Sequence, residues 1–183
     1  LIVLDLTKLL KNHDESIILH LMSATSQVYS SRSIANYLLE QCGARGGLDP
    51  LQTIKLTYIA HGFHLGFYDD PLIEDDVEAW KYGPVVRPVY SMVPYGSSKV
   101  TQPITFERPN LSPRDKGLVD AIIQNYAGLS GLYLSSLTHR PGTPWAITWE
   151  RFGQNAVIPR ELIRDHYKRV IAGGSAAVGT LGL

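Results

Sequence analysis

Apolar positions recur at spacings of three and four along most of the chain, so helices dominate the reading, and strand-like runs are confined to a short stretch after Asp70. The first helix opens at Ser31 or Ser33. Ser33 can cap it, Ile34, Tyr37, Leu38 and Gln41 recur at helical spacing, and Gly43 supplies the stop. A second helix starts at Asp49-Pro50-Leu51-Gln52. Asp49 can cap the first turn, Pro50 is preset for the first helical position, and Gln52 stands where a capping box is completed. Leu51, Ile54, Tyr58 and Leu65 trace one apolar stripe on this helix; Leu56, Ile59 or Ala60, and Phe63 trace another. Two stripes mean protein on most sides, which makes this the expected central helix.

Tyr68-Asp69-Asp70-Pro71 then turns the chain. Pro71-Leu72-Ile73 and Val77-Glu78-Ala79-Trp80 predict two short strands around the acidic turn Glu74-Asp75-Asp76, a ribbon that must pack on a helix to persist. Gly83-Pro84 is expected to launch a helix through Tyr90, with Pro88 in its first turn or at a kink, because proline has no N–H to donate. The Pro, Gly and Ser content of Val93 to Pro109 predicts a mobile surface loop. Ser112, Ser130 and Thr143 each cap a further helix, and Pro159 opens the last one, Arg160 to Ile171, which Gly173-Gly174 should stop.

The expected fold is therefore mainly α: a single compact helical domain over residues 30–172, with a small two-stranded β-ribbon after the second helix. Residues 1–29 form an N-terminal extension and residues 173–183 a flexible tail. Met22 is a candidate functional start, which would leave residues 1–21 as an upstream extension. The alternative is that this segment is an amphipathic helix docked on the body or on a partner.

Composition narrows the function classes. Lys+Arg and Asp+Glu stand at 17 each, so a phosphate-binding role is disfavoured, and nucleic acid is not the expected partner for the chain as a whole. The single Cys42 excludes an intramolecular disulfide and cysteine-rich zinc sites, and it is compatible with a reducing cytoplasm. No apolar run reaches the roughly 20 residues that span a bilayer, so no membrane partner is expected.

Candidate chemistry is sparse. His61 and His64, three apart on one helix, could face one metal ion, but no pattern of third and fourth ligands accompanies them; no metal or cofactor is expected. His139 would need Ser135, Ser136 or Asp120 to form a catalytic pair, yet no nucleophile-elbow phrase is present. The preferred role for its ring is to bond a backbone group and fix the loop before Trp145. The acidic run at Asp69-Asp70 and Glu74–Asp76 lacks the alternation of a calcium loop and reads as a solvated turn. Arg160, Arg164 and Lys168 form a stripe that could meet phosphates, but Glu161 and Asp165 favour a salt-bridged face. Trp80, Tyr82, Tyr90 and Tyr95 cluster around Gly83-Pro84, either as core beneath the ribbon or as an exposed patch of the kind that dominates interfaces.

Several phrases, in order, carry a family resemblance: His61-Gly62-Phe63-His64-Leu65, Pro71-Leu72-Ile73, Glu78-Ala79-Trp80, Tyr82-Gly83-Pro84-Val85-Val86, then Leu134-Ser135-Ser136-Leu137-Thr138-His139, Pro144-Trp145 and Ile158-Pro159. Together they resemble the Panacea antitoxin domain of SocA-like and GepA-like phage-associated proteins, across about Ser33 to Val170. His61 stands where the family more often has Gln, and Phe63 where it has Trp. The resemblance implies a non-enzymatic antitoxin that binds a cognate toxin protein, with His61, His64, Trp80, Tyr82, Gly83, Pro84 and Tyr90 as candidate partner-binding residues. It also implies a second mode, in which a SocA-like adaptor delivers its toxin to a protease such as ClpXP, with the chain ends as protease contacts. A DNA-binding autorepressor using the 160–169 stripe, and a hydrolase using His139 or His64, are the rival classes.

Overall fold

The computed structural model describes residues 27–96 and 98–179, which hold seven helices and three short strands. In order these are α1 (Ser31–Gly43), α2 (Pro50–Tyr68), β1 (Val77–Trp80), β2 (Gly83–Val86), α3 (Arg87–Met92), α4 (Pro113–Tyr126), α5 (Gly131–Thr138), α6 (Pro144–Phe152), β3 (Ala156–Val157) and α7 (Arg160–Gly179). The fold is mainly α, as the apolar spacing predicts. The expectations for Met22, for residues 1–21 and for the last four residues of the tail lie outside the described residues.

α2 is the centre of the molecule. Its capping box forms as expected: the Asp49 carboxylate accepts from Gln52 N at 2.7 Å, and Gln52 Oε1 accepts from Asp49 N at 2.8 Å. The Gln52 amide also donates to the Ala127 and Leu129 carbonyls, which ties the start of α2 to the turn between α4 and α5. Every residue from Gln52 to Gly66 is buried. α1, α4, α5, α7 and β2 all pack on this helix, which is why two apolar stripes were needed. α7 crosses closest at Gly62 and Gly66: a Cβ on Gly62 would lie 2.1 Å from the Tyr167 ring, so Tyr167 occupies space that a larger residue would fill.

The ribbon departs from expectation. β1 pairs with β2, not with Pro71–Ile73, in the antiparallel register Val77↔Val86 and Trp80↔Gly83, and β3 adds a third strand on the other edge of β1. Ile73 instead forms an isolated parallel bridge with Tyr29. Gly83-Pro84 thus opens a strand where a helix start was expected. The β-branched pair Val85-Val86 suits the extended conformation, and Pro84 stands at a sheet edge where no donor is missed. α3 begins later, at Arg87, and Pro88 falls in its first turn, where the absent N–H costs nothing.

Three further differences have local causes. Ser33 does not cap α1; it lies inside the first turn and its hydroxyl donates to the Ser30 carbonyl. The 93–109 loop is held to the body: Leu48 and Val100 pair backbone to backbone, and the buried Asn36 amide donates to Thr105 and Glu107 and accepts from Ile104 N. α7 runs on past Gly173 to Gly179, because Gly173 keeps a negative φ; a helical glycine costs about 1 kcal/mol but ends a helix only when it turns left-handed.

Candidate functional site

The hairpin between β1 and β2 turns at Lys81-Tyr82, and its carbonyls point inward. Trp145 Nε1 donates to Trp80 O at 2.8 Å. His139 Nε2 lies 3.4 Å from Lys81 O. Tyr82 O accepts from Lys55 Nζ at 2.6 Å and from Ser135 Oγ at 3.0 Å, and Pro84 O accepts from Lys55 Nζ at 3.0 Å. With the backbone bonded from within, the Lys81 and Tyr82 side chains project outward, and Tyr82 is 67% exposed. Gly83 makes this possible. Its φ is +100°, and a Cβ there would sit 2.5 Å from Lys55 Nζ and 2.9 Å from the His139 ring.

Lys55 is fully buried in α2 and forms no ion pair among the described residues; burial lowers its pKa to about 7. Its two bonds are both to backbone carbonyls of the turn, so it acts as an internal brace. His139 works beside it. Its Nδ1 lies 2.6 Å from Ser135 O and its ring packs on Trp145 at a centroid distance of 4.0 Å. The loop-fixing role expected for His139 is what the geometry has. Of the pairings a hydrolase would need, Ser135 Oγ stands 3.4 Å from His139 Nδ1 but makes the shorter bond, 3.0 Å, to Tyr82 O, while Ser136 donates to Tyr133 O and Asp120 accepts from Tyr37 and Lys116.

Around the turn stands an aromatic ladder. Trp80 and Tyr90 are 4.6 Å apart, Tyr90 and Tyr95 4.7 Å. Arg87 lies over the Trp80 ring and grips Glu78 through two bonds of 3.0 and 2.7 Å, while Trp80 Nε1 donates to the same carboxylate. The hydrogen bonds from Arg87 keep the Glu78 carboxyl below its ordinary range. Trp80 and Tyr90 are half-buried and Tyr95 is exposed, so the cluster is core on one side and surface on the other.

The structure brings Trp80, Tyr82, Gly83, Pro84 and Tyr90 together, with Gly83 and Pro84 buried beneath the surface they shape. His61 and His64 are elsewhere, both fully buried. His61 Nδ1 accepts from Leu72 N and Ile73 N at 3.3 and 3.4 Å, and burial lowers its pKa to about 3, so the ring is neutral. His64 lies between Asp70 O at 2.7 Å and Asp115 Oδ1 at 3.0 Å. Asp115 also accepts from Tyr29 OH and Arg114 Nε. Burial alone would raise the Asp115 carboxyl; the bonds from His64, the Ser112 hydroxyl and Arg114 outweigh it and hold the group well below the carboxylate range. These two histidines hold the exit of α2 and do not reach solvent.

The acidic turn and the basic stripe meet each other. Lys168 Nζ binds Asp69 at 2.6 Å, Arg164 stands 3.6 Å from Asp69 and 2.9 Å from Asp165, and Arg160 donates to Glu74 O and faces Asp76. Lys55, Ser135 and Trp145 were not singled out from the sequence as parts of this site. For Lys55 a signal existed: a lone cation within a helix whose other faces are apolar has to bond something inside.

A protein-family profile described as "Antitoxin SocA-like, Panacea domain" matches residues 54–146. Antitoxin SocA of Caulobacter vibrioides (strain NA1000 / CB15N) is 28% identical over 141 residues, which cover 70% of this chain and 75% of that protein. No solved structure matches the chain. The matched stretch begins one residue before Lys55 and ends one after Trp145, so it encloses the turn and every side chain that holds it. The chain belongs to the antitoxin SocA-like, Panacea domain family.

Proposed function

We propose that this protein is an antitoxin that neutralises a cognate toxin protein by direct binding, without enzymatic activity, and that the toxin docks on the aromatic surface around the 80–84 turn. Family membership supports the antitoxin role. The observation that carries the surface assignment is the exposed Tyr82 on a backbone bonded from within by Lys55, Ser135, His139 and Trp145. A rigid aromatic tip loses little entropy on binding, and tyrosine and tryptophan dominate interface energies for that reason. Lys81, over the Tyr82 ring, and Arg87, over Trp80, add positive charge to the patch, which favours a partner face carrying carboxylates. The autorepressor reading is disfavoured because the 160–168 stripe already faces Asp69 and Asp76.

The test is co-expression with the product of each adjacent gene, scored by growth rescue and co-purification. Rescue with a stable complex is expected. Tyr82→Ala should then weaken the complex by about 2 kcal/mol, roughly 30-fold in Kd, with the melting temperature unchanged. An undiminished affinity would remove the turn from the interface. Rescue that disappears in a host lacking ClpXP would replace direct neutralisation by the adaptor mode.

A further inference from the structure

A concave site also opens beside α5, with Tyr133, Leu137 and Thr138 of that helix in its lining. It is a cavity of about 270 Å³ between α2, α4, α5 and α7, with Arg140 and His166 among its lining residues. Its walls are aromatic. The Phe63 and Tyr167 rings meet edge to face at 4.8 Å, Tyr58 meets Tyr167 at 6.1 Å, and Tyr126 stands 6.0 Å from Phe63. Tyr126 is only 6% exposed, and its hydroxyl, which forms no hydrogen bond among the described residues, is not one of the enclosed unpartnered atoms and so keeps an opening at the cavity wall. A phenol hydroxyl that no protein group engages at a cavity wall can bond a polar ligand atom.

The charges at this site are equally specific. Arg140 is exposed, and no carboxylate lies within ion-pairing distance of it among the described residues. Burial and the nearby Arg169 lower the pKa of His166, so near pH 7 its ring is neutral and Arg140 is the one cation among the cavity's lining residues. One guanidinium matches one carboxylate in a two-pronged pair, whereas a phosphate dianion calls for more donors than stand here. The volume is at the small end for ligand sites, which run from about 300 Å³ upward, and suits one or two fused rings.

We propose that this cavity binds a small aromatic carboxylate: the ring system against the wall that Phe63, Tyr126 and Tyr167 form, the carboxylate on Arg140, and a polar ring substituent or carboxylate oxygen on the Tyr126 hydroxyl. The assignment is independent of the toxin-binding surface, since none of these residues holds the turn.

The experiment is calorimetric titration of the full chain with indole-3-carboxylate and 4-hydroxybenzoate, against their neutral counterparts indole and 4-hydroxybenzamide. Saturable binding of at least one acid is expected, with Arg140→Gln weakening it about tenfold and leaving the neutral probe nearly unchanged. Tyr126→Phe, which keeps the ring and removes the hydroxyl, should weaken the acid about threefold. Leu137→Trp, placed to fill the cavity, should abolish binding of every probe; its fold is checked by circular dichroism, and Arg140→Gln, at an exposed position, serves if it fails to fold. Absence of binding by both acids overturns the proposal. So do equal affinities for acids and neutral probes, or full binding retained in a folded Leu137→Trp variant. Capture of an acetylated Trp-Glu dipeptide amide in place of the free acids would also overturn it, and would make the cavity an anchor for a partner's side chain.

Discussion

At the scale of single residues, the most consequential is Lys55. Its folded pKa of about 7 lies below that of an unfolded lysine, 10.5. Between those values the unfolded chain carries a proton that the folded chain lacks, so stability rises with pH across the window, by up to ~1.4 kcal/mol per unit. Urea unfolding of the wild type should therefore give a larger free energy at pH 9 than at pH 7, and Lys55→Met should reduce that difference. An unchanged difference in the variant would mean that another group titrates there. Gly83→Ala acts on the same turn from the other side. A left-handed φ costs alanine about 1–2 kcal/mol, and the added Cβ meets the Lys55 ammonium, so a lowered melting temperature and loss of toxin binding are expected together. Asp115→Asn breaks a buried pair and should cost about 3–5 kcal/mol in chemical denaturation. Because its folded pKa is depressed, the Asp115 contribution is complete above the unfolded carboxylate range and is lost as the pH falls through the folded value. Acid unfolding of the wild type should accordingly be steeper than that of the variant.

Secondary elements show where sequence reading succeeds and where it stops. The Asp49 box and the caps at Ser112, Ser130 and Thr143 all form, because a cap is decided by side-chain atoms three residues away. β2 was not legible. Gly-Pro followed by apolar residues is locally a good helix start, and only pairing with β1 and bonding from Lys55 draw it into a strand. The surface loop over 93–109 is legible in its Pro, Gly and Ser content, whereas its tether is not, since that comes from Asn36 on α1. Asn36→Ala should leave the helices intact and speed amide exchange at Ile104 and Thr105 by more than tenfold, corresponding to ~1.4 kcal/mol or more of lost local stability. Exchange at wild-type rates would place the restraint elsewhere in the loop. The site followed the same division: the aromatic residues could be named from their cluster, whereas the buried roles of His61 and His64 depend on Asp70, Leu72 and Asp115, which only the fold brings near.

For the molecule as a whole, the balance of charge is also a balance in space. The acidic turn after α2 and the basic stripe of α7 face each other and offset each other's charge. Gel shift with the DNA upstream of its gene should show no complex at moderate salt, and a complex that weakens steeply with salt would restore the autorepressor reading. The first described residues and the last helix both close on α2: Tyr29 bonds Asp115 near the α2 exit, and Tyr167 packs on Gly62.

The residues that bond the 80–84 turn lie 27, 53 and 65 positions away from their partners along the chain. The full set of bonds that holds this turn therefore cannot close on a nascent chain that ends before Trp145, however well α2 has already formed. Completion of the turn is a late event of synthesis, and a stop between Ser135 and Trp145 leaves the Trp80 carbonyl without its indole donor.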